Sequence, residues 1–199
     1  MSEALRRPVG NSLKWALVVP VLFTFAGWVA QYPYGLIVVG VIIGLGTWAV
    51  AAFLAGSAWE RPGAAIMVSI CGFALMLFAG PGLYTIYMKI LGEPAPAVVT
   101  KVEDRESRRR ADWFCTVVET TGERSVHHIS QQENCFGQVK QLQRVMLRKD
   151  PLGLLDPRLP DRPGRNDTRI PLLTSAGLFL ATGASMLYAG LRRRQKRPR

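Results

Sequence analysis

The sequence predicts an α-helical membrane protein. It has four transmembrane helices and a small all-β domain, barrel-like or an open sheet, inserted between helices three and four. Three observations predict it. Four apolar stretches are each long enough to cross a bilayer, and no Asp, Glu, Lys or Arg interrupts their cores. A polar insert with strand-like alternation, holding two of the three cysteines, separates the last two stretches.

A hydrocarbon core of ~30 Å takes about 20 helical residues. The first span is expected over about 14–31; its apolar core from Trp15 to Ala30 is shorter than that and reaches it only with Leu13, Gln31 and Tyr32 included or with little tilt. The others are expected over 36–55, 64–88 and 170–190. Arg6, Arg7 and Lys14 ahead of the first run look like a signal-peptide leader, but cleavage needs small residues one and three before the cut. A cut after Ala30 puts Trp28 at the third position and a cut after Gly27 puts Phe25 there, so the first span is expected to be retained. Pro20 and Gly80-Pro81-Gly82 are the expected kink points. The chain thus divides into a tail with three spans (1–91), a β domain (92–153), a Pro/Arg-rich linker (154–169), and the fourth span with its basic tail (170–199).

Charge sets the expected orientation. The leader and the C-terminal run from Arg192 to Arg199 are basic, whereas Gln31-Tyr32-Pro33-Tyr34-Gly35 between the first two spans is uncharged. The positive-inside rule then places both termini in the cytoplasm and residues 92–169 outside the plasma membrane. Aromatics agree, with Trp15, Trp59 and Tyr188 at inner ends and Trp28, Tyr32, Tyr84 and Tyr87 at outer ends. The net charge of +11 is mostly topological, because the insert holds fourteen Lys and Arg against twelve Asp and Glu. The basic tail has no aromatics for base stacking, so it reads as an anchor on anionic headgroups and not as a nucleic-acid site.

In the insert, Ala97–Val102, Trp113–Glu119, Ser125–Ile129 and Arg144–Arg148 read as strands, with a tight turn at Thr120-Thr121-Gly122-Glu123. Gln131–Gln138 reads as a loop or one helical turn, and the last strand stops at Asp150-Pro151-Leu152-Gly153. A core of some 60 residues is thin and commonly needs a staple. Cys115 and Cys135 lie in the oxidising outer insert and are the expected disulfide, while Cys71 lies inside the third span without a partner.

No catalytic constellation stands out. His127 and His128 are adjacent on a strand and point to opposite faces, which argues against a metal site; no metal and no cofactor are expected. Gly-x-Ser-x-Gly, His-Glu-x-x-His and phosphate-loop motifs are absent, and the acidic residues are scattered. Arg108, Arg109 and Arg110 in a mixed-charge loop are the candidate contact for an envelope protein or an anionic polymer. In the spans the polar side chains are hydroxyls such as Thr24, Thr47, Ser69, Ser175, Thr182 and Ser185. Gly40 with Gly44, and Gly177 with Ala181, are spaced for close helix approach within the bundle or in a homodimer.

The layout resembles a group of bacterial multi-pass membrane proteins that carry a small extracytoplasmic β domain beside their transmembrane helices. Pro96–Val102 opening the domain and Val145–Gly153 closing it carry the resemblance, which implies a layout and no activity. A tetraspanin shares the four spans, but its Cys-Cys-Gly motif is absent. The expected function is non-enzymatic: an interaction or accessory protein of the cell envelope, embedded in the lipid bilayer. The alternative is a small transporter or channel subunit capped by the β domain.

Overall fold

The computed structural model describes residues 3–32, 35–104, 112–121, 125–131, 133–136, 139–161 and 169–192, with side chains from residue 11 onward. They form two compact units, one of Met1–Leu83 with Arg169–Arg199, the other of Tyr84–Thr168.

The first unit is helical. It holds α1 (Glu3–Val29), α2 (Leu36–Phe53), α3 (Pro62–Ile90), which runs on into the second unit, and α4 (Arg169–Leu191). The apolar windows Asn11–Val29, Leu36–Ala58, Pro62–Ile90 and Arg169–Leu191 are each long and apolar enough to cross a membrane. The second window ends past the expected Ala55, because α2 continues through a π-helical turn at Leu54–Ala58. Glu60, in the left-handed region at φ 54°, stops it. α1 and α3 run unbroken through Pro20 and Pro81, the expected kink points.

α1 packs on each of the other three helices. Val19 and Phe23 are buried with Val68, Leu75 and Ala79 of α3 and Met186 and Ala189 of α4. Small residues set the closest approaches. A Cβ on Gly80 of α3 would lie 2.6 Å from Gln31 Nε2 and 3.0 Å from the Gly27 carbonyl carbon. A Cβ on Gly27 would lie 3.1 Å from the Met76 carbonyl carbon. Backbone here meets backbone, so neither position has room for a side chain.

The second unit is a four-stranded antiparallel sheet, ordered β3-β2-β1-β4, lying between α3 and α4 in sequence. It is an open sheet of β1 (Glu93–Asp104), β2 (Trp113–Glu119), β3 (Val126–Ile129) and β4 (Arg144–Lys149). β1 is central and carries a bulge between Val99 and Lys101. It tolerates Pro94 and Pro96 because its pairing with β2 begins only at Ala97. The N–H that Pro96 lacks would point beyond the end of β2. The Pro96 carbonyl on that side accepts from Thr120 N and Oγ1, each at 3.0 Å.

The pleat buries one face of the sheet. Ala97, Val99, Cys115, Val117, Ile129 and Leu147 form its core together with Cys135 and Leu159. Cys115 and Cys135 are joined by a disulfide, with Cα atoms 5.8 Å apart, which ties the segment 133–136 onto β2.

The unit is larger than the expected 92–153 domain at both ends. Residues 154–161, expected as the first part of a linker, fold back together with 150–153 as a strap. Leu155 and Leu159 are buried, and Arg158 exchanges two backbone hydrogen bonds with Arg148 at 2.8 and 2.9 Å. Burial of those two leucines outweighs the extended character of the surrounding prolines.

Candidate interaction site on the sheet unit

The strap is fastened by polar groups. Asp150 accepts from Tyr87 Oη at 2.6 Å and from the backbone N–H groups of Leu152, Leu154 and Leu155 at 2.9–3.2 Å. Burial alone would raise its pKa, but the Tyr87 hydroxyl and the three N–H groups outweigh it and hold the carboxyl below its usual range. Gly153, at φ 66°, closes this turn with a hydrogen bond to the Asp150 carbonyl at 3.0 Å. Further along, Tyr84 Oη donates to the Asp156 carbonyl at 2.7 Å. Asp161 joins three partners: Lys89 by an ion pair, Arg158 Nη2 at 3.2 Å and Asn134 Nδ2 at 3.3 Å. The Arg158 side chain is 8% exposed, and its Nε and Nη1 are buried with no partner among the described residues. That leaves a guanidinium only partly compensated.

The opposite face of the sheet is open. β-register places Val98, Val118 and Val126 in one row across β1, β2 and β3, and Arg144 of β4 continues the row beyond Val98. Pro96 of β1 is paired with Met146 of β4 in the next row. Val126 is 55% and Met146 52% exposed, and Val98, Val118 and Pro96 are half-buried. The apolar band therefore crosses all four strands without a buried layer over it among the described residues. A groove of about 500 Å³ runs beside it, lined by Pro96, Val98, Thr120, Arg144 and Met146 among others.

At the margin of the closed face, Glu119 Oε1 lies 2.6 Å from His127 Nε2 and 2.8 Å from Lys149 Nζ. Burial alone would raise the Glu119 pKa, but Lys149, His127 and Ser125 lower it below the usual carboxylate range. Ser125 Oγ lies 3.0 Å from the same His127 nitrogen. An Nε2 that donates to Glu119 has no lone pair left for the serine proton, so the trio lacks the geometry of a nucleophile–base–acid relay. His128, on the open face, lies 3.4 Å from Thr116 Oγ1. Among the described residues no group of three or more His, Cys, Asp or Glu could hold a metal.

Arg108, Arg109 and Arg110, the candidate partner contact, lie outside the described residues. Gly40 and Gly44 face neighbours: a Cβ on Gly40 would be 2.7 Å from the Ala26 carbonyl oxygen, and one on Gly44 would be 2.7 Å from Met76 Sδ. Gly177 meets nothing within 4 Å, and Ala181 is half-buried. The close approach of α4 instead uses Gly183, whose Cβ would lie 2.8 Å from the Ala16 carbonyl oxygen. The span hydroxyls of Thr24, Thr47, Ser69, Thr182 and Ser185 each donate to the carbonyl four residues back at 2.8 Å. Ser175 Oγ is buried without a partner among the described residues.

Two features were missed in the sequence. The strap was hidden by its prolines and charges, although Leu155 and Leu159 were the available signal. The open face was half visible in the alternation of Arg144–Arg148, which marks two faces without saying which is covered. Comparison with protein-family models, with curated proteins and with solved structures finds no match to this chain.

Proposed function

We propose that this chain is an integral membrane protein of the cell envelope whose sheet unit is an interaction module. On this reading both termini lie in the cytoplasm and residues 92–169 lie outside. The carrying observation is the contrast between the two faces of the sheet. One is closed by a disulfide, a strap and a core of its own, and the other keeps an apolar band uncovered among the described residues. A unit already stable through its closed face keeps the open one free for a partner. Thr24, Thr47, Ser69, Thr182 and Ser185, bonded back onto their own helices, support the same reading, since Ser175 is then the one buried span hydroxyl left without a partner among the described residues.

Sidedness is tested with single cysteines in a Cys71→Ser background. One at Arg109 should react with a membrane-impermeant maleimide on intact cells, and one at Arg197 only after lysis. The reverse pattern would refute the orientation. The interaction role is tested by photo-crosslinking from the open face in intact cells, where a discrete adduct is expected. Substrate-selective uptake into vesicles containing only this chain would overturn it in favour of transport.

A further inference from the structure

We infer that the free edge of β4 at Arg144–Met146, with its groove, takes an extended segment of a partner protein as an added strand. That segment is apolar toward Met146 and carries an Asp or Glu opposite Arg144. The inference rests on the interaction-module reading and names the site and the chemistry of its occupant.

Backbone geometry carries it first. β1 occupies one edge of β4 along Arg144–Lys149. Arg148 turns its N–H and C=O to the other edge, where Arg158 bonds both at 2.8 and 2.9 Å. Groups two residues apart in a strand point the same way, so Met146 and Arg144 also turn theirs outward. Among the described residues no strand pairs with them there. The Arg158 bridge is antiparallel, so an added strand would continue a pairing that the strap has begun.

Side chains supply the selectivity. The groove of about 500 Å³ lies on the open face, where Arg144 and Met146 of β4 share it with Pro96 and Val98 of β1, and it can receive a long apolar side chain reaching inward over Met146. β4 reads Arg-Val-Met-Leu-Arg-Lys, with three cations and no acid. Lys149 is taken by Glu119, and Arg148 Nη1 by the carbonyls of Lys89 and Gly92 at 3.1 and 3.2 Å. Arg144 is exposed and has no partner among the described residues. Pairing with β4 of a second copy would set cation beside cation, whereas an acidic segment meets a complementary charge. A partner strand fits better than a second copy on that ground, and better than a lipid on the ground of the outward N–H groups.

The probe is an end-blocked fluorescent heptapeptide alternating valine and threonine with a central glutamate, beside its central-lysine twin. Binding to the full-length protein in detergent is read by anisotropy. The glutamate peptide should bind at least about tenfold more tightly than the lysine twin. Arg144→Glu should invert that preference. Met146→Pro, which removes an outward N–H and leaves the β1 ladder intact, should weaken the glutamate peptide by about tenfold. Equal binding of the two peptides, binding of neither at millimolar concentration, or an unchanged preference in Arg144→Glu overturns the inference. So does a homodimer trapped as a disulfide by Met146→Cys, which would assign the edge to self-pairing. If a photo-crosslinker at Val126 captures a discrete partner in cells and one at Met146 does not, this site fails while the interaction module stands. Capture from neither position removes both.

Discussion

Replacing Cys115 and Cys135 together by alanine tests how much of the sheet unit's stability lies in its staple. The disulfide closes a loop with a sequence separation of 20. In the loop-entropy model that removes about 11 cal/mol/K from the unfolded chain, or roughly 3 kcal/mol at 25 °C. At about 1.4 kcal/mol per tenfold, opening of the unit should become on the order of a hundredfold more frequent. Both sulfurs are buried, at 1% and 0% residue exposure, so small cavities add to the cost and nothing offsets it. Hydrogen exchange of the β2 and β3 amides in the full-length protein reads this sub-global opening directly. Exchange should accelerate there by that factor, while the amides of α1 and α2 stay within about twofold of wild type. Cys71→Ser should change nothing of the kind, since Cys71 is a free thiol in α3. An acceleration under about fivefold in the double variant would refute the reasoning. The closed face would then hold by apolar burial alone.

Other consequences follow from packing and charge. Gly80→Ala should destabilise the helical unit by about 1–3 kcal/mol, because its Cβ would press on the Gly27 carbonyl, whereas Gly177→Ala should stabilise α4 by up to about 1 kcal/mol. Thermal aggregation of the solubilised protein ranks the two. Asp150 and Glu119 are held below their usual pKa in the folded state, so the stability they contribute is fully present above their unfolded values of about 3.9 and 4.3. It is lost as pH falls through the depressed folded values. Denaturant midpoints of the sheet unit should therefore stay level from pH 7 to about 5 and fall below about pH 4, less steeply in Asp150→Asn. Arg158→Met should cost under about 1 kcal/mol or stabilise the unit, because it removes N–H groups that have no partner among the described residues while Asp161 keeps Lys89 and Asn134. A loss above about 3 kcal/mol would show that the guanidinium is well compensated after all.

The helices were legible in the sequence because four long apolar runs without charge have the length and hydropathy that crossing a bilayer requires. Leu36–Phe53 and Arg169–Leu191 fall within a few residues of their expected limits for that reason. The strands were legible because the pleat has a period of two, which Arg144–Arg148 writes as alternating charged and apolar residues. The two insert cysteines were legible as a pair because a small domain with a thin core needs a covalent tie. Packing partners were not legible. A small-xxx-small spacing marks a helix face but not the neighbour that meets it: Gly177 with Ala181 has the spacing, while Gly183, with Phe179 and Leu187 four residues to either side, does not. Only the crossing of α1 with α4 sets Ala16 against Gly183 and leaves Gly177 open. The strap was invisible for a related reason: local composition reports extended backbone, while two buried leucines and the Asp150 hydrogen bonds decide where that backbone docks. Which face of the sheet stays open was likewise decided in three dimensions. Period two yields two faces, and only the packing of Cys135 and Leu159 against one of them leaves the valine row on the other.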